Sequence, residues 1–395
     1  MIVEQDMHSK ARPRAEMEQR QALSLPTLPP EILAIIISKL SLFDWSFADL
    51  DDLNPWNPFI SSSTKREENN KLCIATKRAL CLVSRQLYAM ARPLLYEYLC
   101  IRNPRALYAL VEPIIFDQGS KGSAKLLARY TRRLDISLGG NAGTSPGPIY
   151  IATSVLLRCC AKNLTHLSIS MLMKDAISLI HDVQLCTKLN VLCWRFMPLH
   201  STTFADILSG LFYNLVVLDL TELVTMPSEE MLQDVIDFPH LHTLRFSVCE
   251  MIEDFTRMVL PSLRVLDIEE LPLRSDFDTA RSASGAFIQR HGFKLQTLII
   301  RTNIPRIRLV DTPDLQYLAI CLEGTGIFDE EFTMRSLEHI GILLPPQVTG
   351  KHIISLVHGK ISARRTDFPA LKTMETFCMS TPFYSRRDVC ARFSR

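Results

Sequence analysis

No stretch of the 395-residue chain is the run of about 18 consecutive apolar residues that a membrane span needs. The longest candidate, Ile32 to Leu40, is interrupted by Ser38 and Lys39. The segment Met1 to Gln21 is charged and lacks an apolar h-region, which excludes a secretory signal there; residues 1–22 read as a disordered leader. A charge excess is missing as well. The 44 Lys and Arg are nearly balanced by 42 Asp and Glu, which argues against a nucleic-acid binder working through bulk charge. The 11 cysteines contain no Cys-x-x-Cys pair and no zinc-like Cys/His spacing. With no signal segment, they are expected to be reduced thiols of a cytoplasmic or nuclear protein. No metal and no cofactor is expected, and no membrane or nucleic-acid partner.

Catalytic constellations fail in context. Gly143-Thr144-Ser145-Pro146-Gly147 has the spacing of a hydrolase nucleophile elbow. That elbow needs a backbone N–H on the residue after the serine, and proline has none. The run Gly139 to Pro148 reads instead as a mobile loop. His240 and His242 have no third ligand nearby, and Lys121-Gly122-Ser123 lacks the upstream glycine spacing of a phosphate loop.

What the chain does contain is apolar residues, 47 % of the total, arranged in a repeating pattern. The template is Leu-x-x-Leu-x-apolar. It reads Leu164, Leu167, Ile169, then Leu189, Leu192, Trp194, then Leu215, Leu218, Leu220. It returns at Leu241, Leu244, Phe246 and at Leu263, Leu266, Ile268, then at Leu295, Leu298, Ile300 and Leu315, Leu318, Ile320. Leu337, Ile340, Ile342 continue it, Leu371 and Met374 form a weaker last copy, and Leu134 with Ile136 ends an earlier one. The last two template positions alternate as a short strand requires, so both face one side. Helical stretches are expected between copies, for example after Ser201, after Ser228 and over Lys351 to Val357. Pro239, Pro261, Pro313 and Pro369 each lie two residues before a first leucine, where they end a helix and launch a strand. The expected fold is α/β: an irregular solenoid of short parallel strands and helices over residues 101–377, preceded by a small helical segment. The competing arrangement is a doubly wound sheet, which would carry β-branched strands and a Gly-rich first turn.

The segment 23–100 carries a second pattern. Leu25, Pro26, Leu28, Pro29, Glu31, Ile32, Leu33, Ile36 and Leu40 form a Leu-Pro-x-Glu-apolar-apolar opening followed by helical spacing. A second block runs from Ala79 through Leu82, Val83, Ser84 and Arg85 to Leu87. Arg92-Pro93-Leu94-Leu95-Tyr96, then Leu99 and Ile101, close the segment. This combination resembles the F-box family, in its fungal form, where the second block is a helix and the F-box runs directly into leucine-rich repeats. One departure is an insertion of about residues 42–72 between the blocks, rich in Asp, Asn and Ser, expected as a surface loop. The tail 378–395 is basic and expected to be loosely held.

The resemblance implies a non-catalytic substrate-recognition subunit of a Skp-cullin-F-box ubiquitin ligase. Leu25, Pro26, Leu28, Pro29, Ile32, Leu33, Ile36, Leu82 and Val83 would dock a Skp-type adaptor and, through it, a cullin. An unidentified target protein would bind the array. The residues between buried strand positions are then the candidates for target contact: Arg195, Asp219, Arg245, Asp267, Glu269, Arg301 and Tyr317, with His166, Ser168 and Cys193 beside them. The rivals are a scaffold that pairs with the adaptor outside any ligase, an F-box whose insertion blocks docking, and a hydrolase built on Ser145. The Asn that ties neighbouring turns at the ninth position of regular leucine-rich repeats occurs here only at Asn303, which predicts irregular curvature.

Overall fold

The computed structural model describes residues 29, 31–32, 35, 37, 62–116, 127–138, 146–171, 176–195, 198–199, 213–220, 224–225, 237–248, 257–270, 277–301, 311–321, 334–344, 359, 365–378 and 391–393. Leu25, Pro26, Leu28, Leu33, Ile36 and Asn303 lie outside these residues, as do the helices expected after Ser201, after Ser228 and over 351–357.

Two helices, α1 (Ser62–Val83) and α2 (Arg85–Glu97), pack on one another and lead into strand β1 (Tyr98–Ile101). The chain then alternates: α3 (Pro104–Phe116), β2 (Arg133–Leu138), α4 (Pro146–Cys160), β3 (His166–Met171), α5 (Ala176–Gln184) and β4 (Val191–Arg195). Strands β5 (Pro198–Leu199) and β7 (Val224–Thr225) form a small parallel pair around β6 (Val217–Leu220) in the sequence. There follow β8 (Thr243–Val248), β9 (Val265–Glu270), α6 (Phe277–His291), β10 (Thr297–Ile300), β11 (Tyr317–Cys321), β12 (His339–Leu344), β13 (Thr373–Cys378) and β14 (Ala391–Phe393).

Among the described residues, twelve strands form one sheet in the order β1-β2-β3-β4-β6-β8-β9-β10-β11-β12-β13-β14. Every pairing is parallel except the last, in which β14 runs antiparallel along β13. Each new strand is added to the same growing edge, so the order never reverses as it does in a doubly wound sheet. The architecture is α/β with a single parallel sheet and helices, laid out as a solenoid is.

The register follows the leucine pattern. Leu99, Leu134, Leu167, Leu192, Leu218, Leu244, Leu266, Leu298, Leu318, Ile340 and Met374 align side by side. Ile101, Ile136, Ile169 and Trp194 form the next row, resumed by Phe246, Ile268, Ile300, Ile320 and Ile342. Leu107 and Val111 of α3, Leu156 and Leu157 of α4, Leu179 and Val183 of α5, and Phe287 and Ile288 of α6 join these rows in one continuous core. Burying each such side chain contributes about 1.5–3 kcal/mol, which is what orders so many short strands.

A further position recurs that the six-residue template omits. Three residues before the first leucine stand Cys186, Phe238, Leu260, Gly292, Thr312, Met334 and Phe368, all buried. In most of these copies the carbonyl at that position accepts the N–H of the leucine three residues on, as in Phe238 to Leu241 and Phe368 to Leu371. Pro239 and Pro369 therefore occupy the second place of a β-turn, where a fixed φ near −65° fits. Adjacent copies are tied at the residue after each first leucine. The carbonyls of Arg132, Thr165, Asn190, Val216, His242, Arg264, Gln296, Gln316 and Glu338 each accept two N–H groups from the next copy. Side chains reinforce this edge. Asn163 donates to the carbonyls of Ala128 and Arg129, Asn214 to Thr187, Ser262 to Pro239 and Lys294 to Pro261. These bonds supply lateral ties where the ninth-position Asn is absent.

Four local expectations change. α1 begins at Ser62, so residues 62–72 of the presumed loop are helical. That stretch holds Lys65, Arg66, Glu67, Glu68 and Lys71, good helix formers with Glu67 and Lys71 one turn apart. The Leu-Val-Ser-Arg block is not one helix but a junction. Ser84 is extended (φ −157°, ψ 160°) and its hydroxyl accepts from the Leu87 N–H, capping α2. Pro146 to Pro148, read as part of a mobile loop, form the first turn of α4, where a missing N–H costs nothing. Residues 391–393 of the basic tail are paired as a strand.

Candidate functional site

Two surfaces carry the sequence-predicted residues. The first belongs to the amino-terminal helical segment. Residues 31, 32, 35 and 37 are helical, and Ile37 is buried while Ile32 and Ile35 are 43 % and 56 % exposed. At the α1–α2 junction Leu82 is 87 % exposed and Val83 57 % exposed. Leu82 and Val83 end α1 immediately before the extended Ser84 cap of α2. Leu72 and Tyr88 add exposed apolar surface on the same pair of helices, and Arg92 lies over the Tyr88 ring at 5.6 Å from its centroid. Pro29 is exposed as well. Isolated exposed aliphatics are ordinary, but Leu72, Leu82, Val83 and Tyr88 all stand on one helix pair, and several large ones together are the usual mark of a covered surface. Leu72 and Tyr88 belong to neither motif, so only their solvent exposure reveals them.

The second surface is the sheet face opposite the leucine rows. Asp135, Ser168, Cys193, Asp219, Arg245, Asp267 and Ile299 align across it, each lying between two buried positions of its own strand. Arg195, Glu269 and Arg301 extend the face at the strand ends, as the alternation predicts. The charged residues neutralise one another. Arg195 donates to Asp219 at 2.5 Å, and Arg301 donates through Nε and Nη2 to the two oxygens of Asp267 at 2.9 and 2.7 Å. Ser247 donates to Glu269 at 3.0 Å. Arg245 Nε stands 3.8 Å from Asp267, is buried, and has no hydrogen-bond partner.

The depth of these groups is unequal. The Asp219 and Asp267 side chains are 2 % exposed, against 38 % for Arg195, 21 % for Arg245 and 27 % for Arg301. Asp219 and Asp267 are on the predicted face, but their carboxylates lie beneath guanidinium groups. Burial lowers the Arg301 pKa, yet the charge and hydrogen bonds of Asp267, with the charges of Glu269 and Asp219, together outweigh it and hold the group above its ordinary value. Burial pushes the Cys193 thiol up to about 12, so it is an inert member of the row.

Toward β1 the face closes with a cluster the sequence pattern only half exposed. Arg133 pairs with Asp135 at 2.9 Å, the Tyr98 hydroxyl donates to Asp135 at 2.8 Å, and Arg133 lies over the Tyr98 ring. Burial, and then the Asp135 charge, raise the Tyr98 pKa. Asp135 was legible as the residue between Leu134 and Ile136. Arg133 was not, because Thr131 stands where the template has its first leucine. From β10 onward the face turns apolar: Ile299, Ala319, Cys321 and Leu343 form a buried cluster with Tyr317 packed against it. Tyr317 is half-buried and stacks on His339, with ring centroids 4.5 Å apart and planes 5° from parallel. Burial lowers the His339 pKa, against the opposing charge of Glu338.

Among the described residues no group of three His, Cys, Asp or Glu is placed to hold a metal ion, and no helix is long and apolar enough to cross a membrane. No protein-family model matches the chain, and no curated protein matches its sequence.

Proposed function

We propose that the chain is the substrate-recognition subunit of a Skp-cullin-F-box ubiquitin ligase, built from an F-box and an irregular leucine-rich-repeat array. The observation that carries this reading is the exposure of Ile32, Leu82 and Val83. They belong to the two sequence blocks that resemble an F-box, and they stand uncovered in a chain that buries nearly all the aliphatics of its repeat template. The Ser84 helix junction inside the second block supports it further, since it brings Leu82 and Val83 to an end rather than to a packed helix flank. The chain itself supplies no chemistry in this scheme. It works by proximity, in the cytoplasm or nucleus: the sheet face holds a target protein while a cullin-bound enzyme presents ubiquitin, which raises the effective concentration of the reacting groups.

The test is co-purification of the full chain with a Skp-type adaptor and a cullin. Wild-type chain is expected to bring down both, and Ile32→Asp neither, with its thermal melting unchanged. Adaptor without cullin would make it a scaffold outside the ligase. Unaltered recovery by Ile32→Asp would defeat the F-box assignment.

A further inference from the structure

Two carboxylates of the sheet face, Asp219 and Asp267, are sunk, and the guanidinium groups paired with them are the more exposed partners. Asp219 and Asp267 are 2 % exposed, so a partner approaching this face meets Arg195, Arg245 and Arg301 rather than their counterions. The formal charges cancel along the face, but their depths do not, and contact chemistry is set by what is outermost. Arg245 is the central residue of this group. Its neighbours in register are Asp219 on one side and Asp267 on the other. Both oxygens of Asp267 are already engaged by the fork of Arg301. Asp219 already accepts from Arg195 at 2.5 Å. Arg245 stands 3.8 Å from Asp267 with its Nε buried and unbonded, so neither carboxylate holds its fork, and the side chain is 21 % exposed to a carboxylate from outside. Glu269, the other carboxylate on this stretch of the face among the described residues, accepts from Ser247.

We propose that the sheet face around Arg245 docks an acidic segment of a protein partner, with a partner carboxylate seated on the Arg245 guanidinium between Arg195 and Arg301. This rests on the reading of the sheet face as the target-binding surface and names the chemistry of what it takes. The apolar floor that begins at Ile299 and runs to Leu343 bounds the charged part of the site on the β10 side.

The experiment uses the full chain and three fluorescein-labelled peptides of one length, alternating serine with glutamate, glutamine or lysine, read by fluorescence anisotropy. A fourth peptide carries phosphoserine in place of glutamate. The glutamate peptide is expected to bind, to weaken as salt is raised, and to lose about tenfold in affinity to Arg245→Gln. Arg245→Lys, which keeps the charge and loses the fork, should fall between the two. The glutamine and lysine peptides should bind no better than background, a comparison that needs no variant to fold. Equal binding of glutamate and glutamine peptides, full binding by a folded Arg245→Gln, or binding of the phosphoserine peptide alone would each overturn the proposal. Adaptor capture is measured on the same preparation. A chain that captures the adaptor and ignores the glutamate peptide defeats this inference alone. One that binds the peptide but no adaptor defeats the ligase reading alone.

Discussion

At the scale of the residue, the decisive feature is which ion pairs are buried. Asp267 is sunk beneath two arginines, whereas the Lys372–Glu338 pair at 2.6 Å is solvent-exposed. Removing one partner of a buried pair leaves the other charge uncompensated. Asp267→Ala is therefore expected to lower stability by about 3 kcal/mol, seen as a shift in denaturant midpoint. Lys372→Ala, at a pair that solvent screens, should leave the midpoint unchanged. His291 provides a separate test. It is packed on Phe287 with its Nε2 buried and unbonded, and burial, helped by Arg290, lowers its pKa to about 4. Its ordinary value is 6.5, so between those two values the unfolded chain binds a proton that the folded chain refuses. Stability should accordingly fall as the pH drops through that window and level off above it. Thermal melts across the window measure this, and His291→Leu should flatten its share of the slope.

At the scale of the element, close packing between neighbouring copies sets the tolerances. A Cβ on Gly292 would stand 2.9 Å from the carbonyl oxygen of Asp311 and from Cγ2 of Thr312 in the next copy. The oxygen belongs to the backbone and has no soft direction in which to move. Gly292→Ala should cost about 1–3 kcal/mol in chemical denaturation, with a cooperative transition retained. This same level shows what the sequence reveals. The leucine rows were legible because burial of one strand face forces a period of two, and their register in space follows the template position by position. The turn position three residues earlier was not, since Cys186, Phe238, Gly292 and Thr312 share burial but no residue type. The helical character of residues 62–72 was hidden by a polar composition that suits a loop as well as a solvated helix. The sheet-face list was readable from alternation alone. Its inversion of depth, arginine above aspartate, depends on side-chain lengths and lateral pairing between copies, which no single strand encodes.

At the scale of the whole molecule, the chain divides its labour between an edge that grows and an end that stays uncovered. Each strand satisfies its backbone on the strand before it, and β14 runs back along β13 at the last copy. The leucines of the sheet are consumed by the core, while the aliphatic residues at the α1–α2 junction are not. An exposed leucine at 87 % gains nothing for this chain's own folding, so replacing it should be neutral for stability and costly only for association. The most direct test is a calorimetric titration of the full chain with a purified Skp-type adaptor, wild type against Leu82→Asp, alongside thermal melts of both. The prediction is a saturable interaction for wild type, at least about a hundredfold weaker for Leu82→Asp, with coincident melting curves. Equal affinity for the two chains, or no heat of binding from wild type, would contradict the proposal that this surface exists to be covered by a second protein.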